Sequence, residues 1–268
     1  MRRRSVGAAS GAVFVLASLT ASVSSVAIAG EQTAAYRASG AQSGLFDQYD
    51  NDGYSLSVAS GEGGVLDLRV RVVDAPLESA APYPTKALPD RALSPAPERE
   101  AFAREKAQGS ATQAEAVRRL LVAVASEVRY DADRDRNQDP AAVFASRRAY
   151  CVGYAELAVD LLRRIGISAR TVQGVLRTEK TADRYDPAIG GVYHRWIEVW
   201  YPDRGYAFSD PAASINGIDA RYIPFDERSL TRPKSLTITE VQRPEGVLGY
   251  SRVPAGTTTV LIRASAKR

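Results

Sequence analysis

The sequence predicts a chain of mixed helices and strands, and three observations carry that prediction. Apolar residues alternate with polar ones over 54–72, the signature of strands with one buried face. The period then changes to helical, with Val117, Leu120, Leu121, Val124 and Val128 on one stripe and Leu157, Ala158, Leu161, Leu162 and Ile165 on another. Aromatic and β-branched strands follow at 193–201 and 205–208, joined by the turn sequence Pro202-Asp203-Arg204-Gly205.

The 268 residues suffice for one large domain or two small ones. With 45% hydrophobic and 25% charged residues, the composition excludes collagen-like, coiled-coil and wholly disordered chains. Residues 1–29 form an expected signal peptide. Arg2, Arg3 and Arg4 are its positive start, Gly11–Leu19 its short apolar core, and Ala27-Ile28-Ala29 a small-residue cleavage site. The formal net charge of +4 owes three positive charges to that segment, so the remaining chain is nearly neutral and no nucleic-acid partner is expected. The chain is expected to be secreted, or periplasmic in the cell envelope, with no stable membrane insertion after cleavage.

Residues 30–98 read as an N-terminal β-hairpin and a Pro-rich strap. Tyr54, Leu56 and Val58 on one strand and Leu66, Leu68, Val70 and Val72 on the other alternate with polar residues and give the hairpin a single apolar face, about a Gly-rich connection at Ser60–Gly64. Pro76, Pro82, Pro84, Pro89, Pro95 and Pro97 exclude a helix in the strap. Residues 99–215 read as the core. Its first helix carries the Val117 stripe, and its second runs from about Cys151 to Ile165 with Gly166 as the stop. Strands are expected at Ala169–Leu176, Tyr193–Tyr201 and Gly205–Phe208. Residues 216–268 are expected to complete the same unit with strands near Ser235–Val241 and Thr257–Arg263.

The smallest counts point to the chemistry: there is one Cys and one His in the whole chain. An exported protein with one Cys has no internal disulfide, and an odd thiol there is either paired between molecules or kept for reaction. Cys151 begins a helix, where unpaired N–H groups and the helix dipole favour a thiolate. His194 is the only imidazole that could serve it as base and acid. Strand alternation places His194 on one face with Trp196, Glu198 and Trp200. Asp210 ends the next strand, and the hairpin returns it towards His194, where a carboxylate would fix the imidazole tautomer.

Three separated motifs form one pattern: Ala149-Tyr150-Cys151-Val152-Gly153-Tyr154-Ala155, then His194-Arg195-Trp196-Ile197-Glu198-Val199, then Ser209-Asp210-Pro211. Over roughly residues 112–215 this order resembles the transglutaminase-like superfamily, a branch of papain-like cysteine enzymes. Many members carry Gly two residues before the Cys, where this chain has Ala149. The resemblance implies an α+β fold with a papain-like/transglutaminase-like core. In it the helix bearing the Cys packs on an antiparallel sheet bearing the His and Asp. It implies Cys151 as nucleophile, His194 as general base and Asp210 as orienting carboxylate. Beside the resemblance, Tyr150 and Trp196 are expected as walls of the substrate site, while packing between sheet and helix is the duty favoured for both Trp196 and Trp200.

The function these readings favour is an exported cysteine-dependent acyl transferase or hydrolase. It would act on an amide, in a peptide or a glutamine side chain, through a thioester. The alternative is a non-catalytic cell-envelope peptide-binding module with an inherited fold. The expected partner is a peptide or protein substrate, cell-envelope peptides included, and no cofactor is expected. Asp131, Asp133, Asp135, Asn137 and Asp139 alternate like calcium ligands. Arg136 replaces the central Gly and Ala142 the closing Glu of such a loop, so it reads as a solvated acidic loop. One Cys and one His make a zinc site improbable, and no metal is assigned.

Overall fold

The structure is a computed structural model. It describes residues 30–41, 44–74, 79–83, 92–180, 182, 184–226, 233, 235–243 and 261–262. The expected signal peptide lies outside the described residues, as does most of the strand expected at Thr257–Arg263.

Strands β1 (Gly30–Ser39), β2 (Tyr49–Asn51), β3 (Tyr54–Ser60) and β4 (Leu66–Asp74) precede helices α1 (Pro97–Ala107) and α2 (Gln113–Glu127). Then come β5 (Arg129–Tyr130), α3 (Pro140–Ser146), β6 (Arg148–Ala149) and α4 (Cys151–Arg164). The remaining strands are β7 (Ala169–Arg177), β8 (Gly191–Tyr201), β9 (Gly205–Ser209), β10 (Ser214–Ile215), β11 (Tyr222–Pro224), β12 (Thr237–Gln242) and β13 (Leu261–Ile262). The chain therefore has the mixed α+β architecture, with helix α4 packed on an antiparallel sheet.

Two larger sheets and one helical layer make three layers. The central sheet has the order β11-β7-β8-β9, and its strands pair antiparallel. One face is covered by the helices: Ala169, Ile197, Val199 and Tyr201 join Leu120, Leu121, Leu157 and Leu161 in one apolar cluster. The other face is covered by a five-stranded sheet of order β12-β1-β4-β3-β2. There Val172, Trp196, Phe208, Tyr222 and Ile223 meet Tyr36, Tyr54, Leu56, Leu68 and Val70. Residues 196–199 of β8 are buried on both sides, the pattern of a strand sandwiched between two layers.

Local chemistry sets the helix ends. Thr112 caps α2 by accepting the Glu115 N–H at 3.2 Å, and the Glu115 carboxylate returns to the Ala111 N–H at 3.0 Å. Helix α4 stops at Gly166, whose φ of +82 allows the Ile167 N–H to reach back to the Leu162 carbonyl. Helix α1 has no apolar stripe and is anchored by charge. Its Arg99 Nε lies 3.2 Å from Asp160, which is also paired with Arg164 at 2.9 Å, all three side chains being nearly buried. No helix among the described residues is long and apolar enough to cross a membrane.

The central sheet needs its second cover. Val172, Trp196, Phe208 and Tyr222 are each at most 7% exposed. A buried aromatic of this kind withdraws about 150–250 Å² from water. Deleting residues 30–98 uncovers them, and we expect the remaining chain to be insoluble or to lose its cooperative thermal transition. A sharp transition at unchanged temperature would show that the N-terminal sheet is dispensable.

A second prediction concerns Gly174, the β7 partner of His194. A Cβ built there meets the Ile223 carbonyl oxygen at 2.2 Å and the Trp196 ring at 2.6 Å. Gly174→Ala must therefore push β11 or Trp196 away. By the usual cost of overpacking it should destabilise the chain by about 1–3 kcal/mol in urea unfolding.

Candidate active site

The site forms where β9 stops short. Strand β9 pairs with β8 from Ile197 to Tyr201, so the edge of β8 before Ile197 has no β9 partner. The head of α4 occupies that gap. Tyr150, the N-cap residue, makes no side-chain cap hydrogen bond, so the first turn presents its N–H groups around Cys151 uncapped by a side chain. The Tyr150 N–H itself donates to Gln138 Oε1 at 3.2 Å. Gln138 packs over Gly153, where a Cβ would lie 2.5 Å from that oxygen. The side chain of Gln138 thus fixes the backbone at the entry of α4, and a Gly at 153 is what admits it.

The structure brings Cys151, His194 and Asp210 into one hydrogen-bonded chain. Asp210 follows β9 directly and is wholly buried. Extending the β8–β9 register would set residue 212 opposite His194, and Asp210 closes the difference with its side chain. His194 Nε2 lies 2.6 Å from Asp210 Oδ2. With Nε2 so engaged, Nδ1 is left for the thiol, and the Cys151 side chain hydrogen-bonds the imidazole. Cys151 Sγ also accepts the Arg195 backbone N–H, which the missing strand partner leaves available.

These contacts set the charge states. Burial pushes the Cys151 thiol up, but the hydrogen bond and charge of His194 and the Arg195 N–H outweigh it, and the net shift is downward. For His194 burial works towards the neutral ring. The Asp210 charge and hydrogen bond and the Cys151 contact reverse that, raising its pKa to about 10. Both shifts run towards a thiolate beside an imidazolium.

Asp210 is held from three sides. Oδ2 accepts the Tyr222 hydroxyl at 2.8 Å as well as His194, and Oδ1 accepts the Ala212 N–H at 2.9 Å. Asp210 also exchanges backbone hydrogen bonds with Ser214. Tyr222 on β11 and Gln138 before α3 are site residues that the sequence reading misses. Neither sits in a periodic segment or beside a reactive residue in the chain.

The two expected wall residues stand in different surroundings. Trp196 is fully buried and presents no surface to a substrate. Its ring stacks on His194 at 6.1 Å and meets Tyr222 edge-on at 5.3 Å, supporting the imidazole from behind. It packs against the N-terminal sheet, because helix α4 lies on the opposite face of β8. Trp200, also read as a packing residue, is 43% exposed and meets only the edge of Tyr206 among the ring contacts described. Tyr150 is half-buried, with the Arg134 guanidinium 4.4 Å over its ring. A cavity of about 400 Å³ lies further along β8, between Tyr49, Arg170, Glu198, Tyr206 and Phe225.

No group of three or more potential metal ligands occurs among the described residues. In the loop 131–139 Asp131 is turned to arginines, with Arg136 at 3.0 Å and Arg148 at 2.9 Å from Oδ2. The Asp133 and Asp135 N–H groups close onto the carboxylates two residues earlier.

Parts of this chain are similar to known proteins. Residues 100–211 match the model of a family described as the transglutaminase-like superfamily. The protein YebA of Bacillus subtilis (strain 168), itself uncharacterized, is 34% identical over 74 residues, which is 26% of this chain and 10% of that protein. A crystal structure of a candidate cysteine protease from Cytophaga hutchinsonii aligns with a TM-score of 0.44 at 12% identity, covering 80% of this chain and 86% of that one. A structure named a TGase aligns with a TM-score of 0.34 at 16% identity, covering 59% and 44%. The segment that carries Cys151, His194 and Asp210 is thus similar to the transglutaminase-like superfamily over residues 100–211.

Proposed function

We propose that this chain is an exported cysteine-dependent enzyme that cleaves or transfers the acyl group of an amide, in a peptide or a glutamine side chain. The observation that carries the proposal is the placement of the chain's only imidazole between its only thiol and a buried carboxylate. In this reading Cys151 is the nucleophile, His194 the general acid and base, and Asp210 the residue that orients the ring and stabilises its charged form.

The steps follow from the pair at rest. The Cys151 thiolate attacks the amide carbonyl carbon, and the carbonyl π pair moves onto oxygen. The resulting oxyanion lies at the head of α4, where the Cys151 N–H and the helix dipole favour negative charge. His194 gives its Nδ1 proton to the departing nitrogen, the C–N bond breaks, and a thioester remains. Water, or a second amine, then gives a proton to Nδ1 as it attacks the thioester. Collapse breaks the C–S bond and restores the thiolate and imidazolium. Hydrolysis or amide exchange results according to the nucleophile admitted. Cell-envelope peptides are the substrates that export favours.

Two outcomes are expected. Iodoacetamide should label Cys151 at pH 6, because the labelling midpoint lies below the ordinary thiol value of about 8.5. His194→Ala removes the hydrogen bond and charge that lower it most, leaving the Arg195 N–H, and should move the midpoint up by at least about one unit. With one Cys in the chain the curve belongs to this residue alone. A midpoint near 8.5 in both proteins, or labelling only after unfolding, would mark a structural thiol.

The second outcome concerns turnover. Wild type and Cys151→Ala are incubated with cell-wall peptides, and with a glutamine peptide plus an amine, and the masses are read. Wild type should convert one set, adding water or exchanging ammonia for the amine, and Cys151→Ala should convert neither. Binding without any mass change in both proteins would indicate a binding module.

A further inference from the structure

The hydroxyl of Tyr222 is used in a way that packing does not require. Its ring fills space between His194 and Trp196, with centroids 5.9 and 5.3 Å away, and a phenylalanine would do the same. The hydroxyl adds a second donor to Asp210 Oδ2, the same oxygen that meets His194 Nε2. The two donors therefore share one buried negative charge, and the position of one constrains the other.

Tyr222 is itself clamped from the N-terminal sheet. Its carbonyl accepts the Tyr54 hydroxyl at 2.8 Å, and two residues earlier the Ala220 carbonyl accepts the Tyr36 hydroxyl at 2.9 Å. The Ala220 N–H donates to Gln32 Oε1 at 3.3 Å. Gln32, Tyr36 and Tyr54 lie on β1 and β3, and neither they nor Tyr222 fall in the segment matched by the superfamily model. Three long-range hydrogen bonds thus fix the backbone at 220–222 from one sheet.

We infer that Tyr222 is a positioning residue for the reacting pair, acting through Asp210, and that the N-terminal sheet sets its position through Gln32, Tyr36 and Tyr54. The inference rests on the enzymatic reading given above. Among the described residues, the charged or titratable groups around the Tyr222 hydroxyl are few. Asp210 follows β9, His194 stands on β8, Cys151 heads α4, and Asp219 and Arg221 pair with each other on the segment leading into β11. The N-terminal sheet faces it with the phenols of Tyr36 and Tyr54 and the amide of Gln32, and the opposed stretch of β7, Gly174–Leu176, brings none.

The sign follows from the donor. Without the hydroxyl, Asp210 keeps more of its charge unshared and loses one of three anchors. His194, raised to about 10, is already charged in the range of the measurement. A less compensated carboxylate therefore adds little to the imidazolium, and its charge acts directly against the Cys151 thiolate. A looser one also holds the imidazole less well against Sγ. Both effects move the labelling midpoint upward.

The test is the pH dependence of iodoacetamide labelling in wild type, Tyr222→Phe, Asp210→Asn and the double variant, with thermal midpoints measured alongside. Tyr222→Phe should raise the midpoint by about half a unit to one unit, slowing labelling at pH 6 by about three- to tenfold. In the Asp210→Asn background the same change should add nothing, because the hydroxyl acts through the carboxylate. A Tyr222→Phe curve that overlays wild type, with only the thermal midpoint lowered, would overturn the inference while leaving the enzymatic reading intact. A wild-type midpoint near 8.5 would remove both. If Tyr222→Phe does not fold, Tyr54→Phe decides: an upward shift supports the inference, and an unmoved midpoint overturns it.

Discussion

A carboxylate with no access to water has to be compensated on the spot, and Asp210 is such a carboxylate. Leaving it ionised and unpaired in the interior would cost several kcal/mol. The fold answers with His194 and Tyr222 on one oxygen and the Ala212 N–H on the other. Because the imidazole is the partner that can itself be charged, compensating Asp210 also fixes the state of His194. That in turn favours the Cys151 thiolate. The pair contributes stability while the imidazolium persists. The raised His194 value means this contribution is present below the ordinary histidine pKa of about 6.5 and is lost as pH climbs through about 10.

The layers serve that constraint from both sides of one strand. Helix α4 lies on the Ile197 and Val199 face of β8 and delivers Cys151 to the edge left open where β9 ends. The five-stranded sheet lies on the Trp196 face, closes the aromatic cluster of Trp196, Phe208 and Tyr222 behind His194, and ties down β11. The superfamily match spans the strand, the helix and Cys151, His194 and Asp210, whereas the second cover comes from sequence outside it. This makes the N-terminal sheet part of the site's foundation and not an appendage.

The legibility of the sequence follows the same physics. Helices α2 and α4 are readable because each has an apolar stripe on one face, and β8 and β9 because β-branched and aromatic residues flank a turn with glycine at φ +80. Motif order singles out Cys151, His194 and Asp210, and the hairpin turn brings the last two within reach of each other. Strand β1 is hard to read because its buried face consists of Gln32, Ala34, Tyr36 and Ala38, in which a polar residue and two alanines leave one aromatic to mark the alternation. Helix α1 escapes a periodicity reading because it buries Arg99 and alanines in place of large apolar residues. Strand β11 is three residues ending in a proline, a composition suited to its place at a sheet edge but silent in sequence. Alternation along β8 separates two faces, yet nothing local says which face meets helices and which meets a second sheet. The sequence therefore does not say that Trp196 packs on a second sheet in place of a helix, or that Trp200 is left 43% exposed.

The central claim is that His194 is an imidazolium at neutral pH, held between a thiolate and a buried carboxylate. The chain has one histidine, so nitrogen-15 NMR of the labelled protein reports this ring alone. Both ring nitrogens should carry protons at pH 7 and remain protonated well past pH 8, and Cys151→Ala should lower the titration midpoint. A ring that loses a proton near the ordinary value of about 6.5, with the midpoint unmoved in Cys151→Ala, would contradict the account.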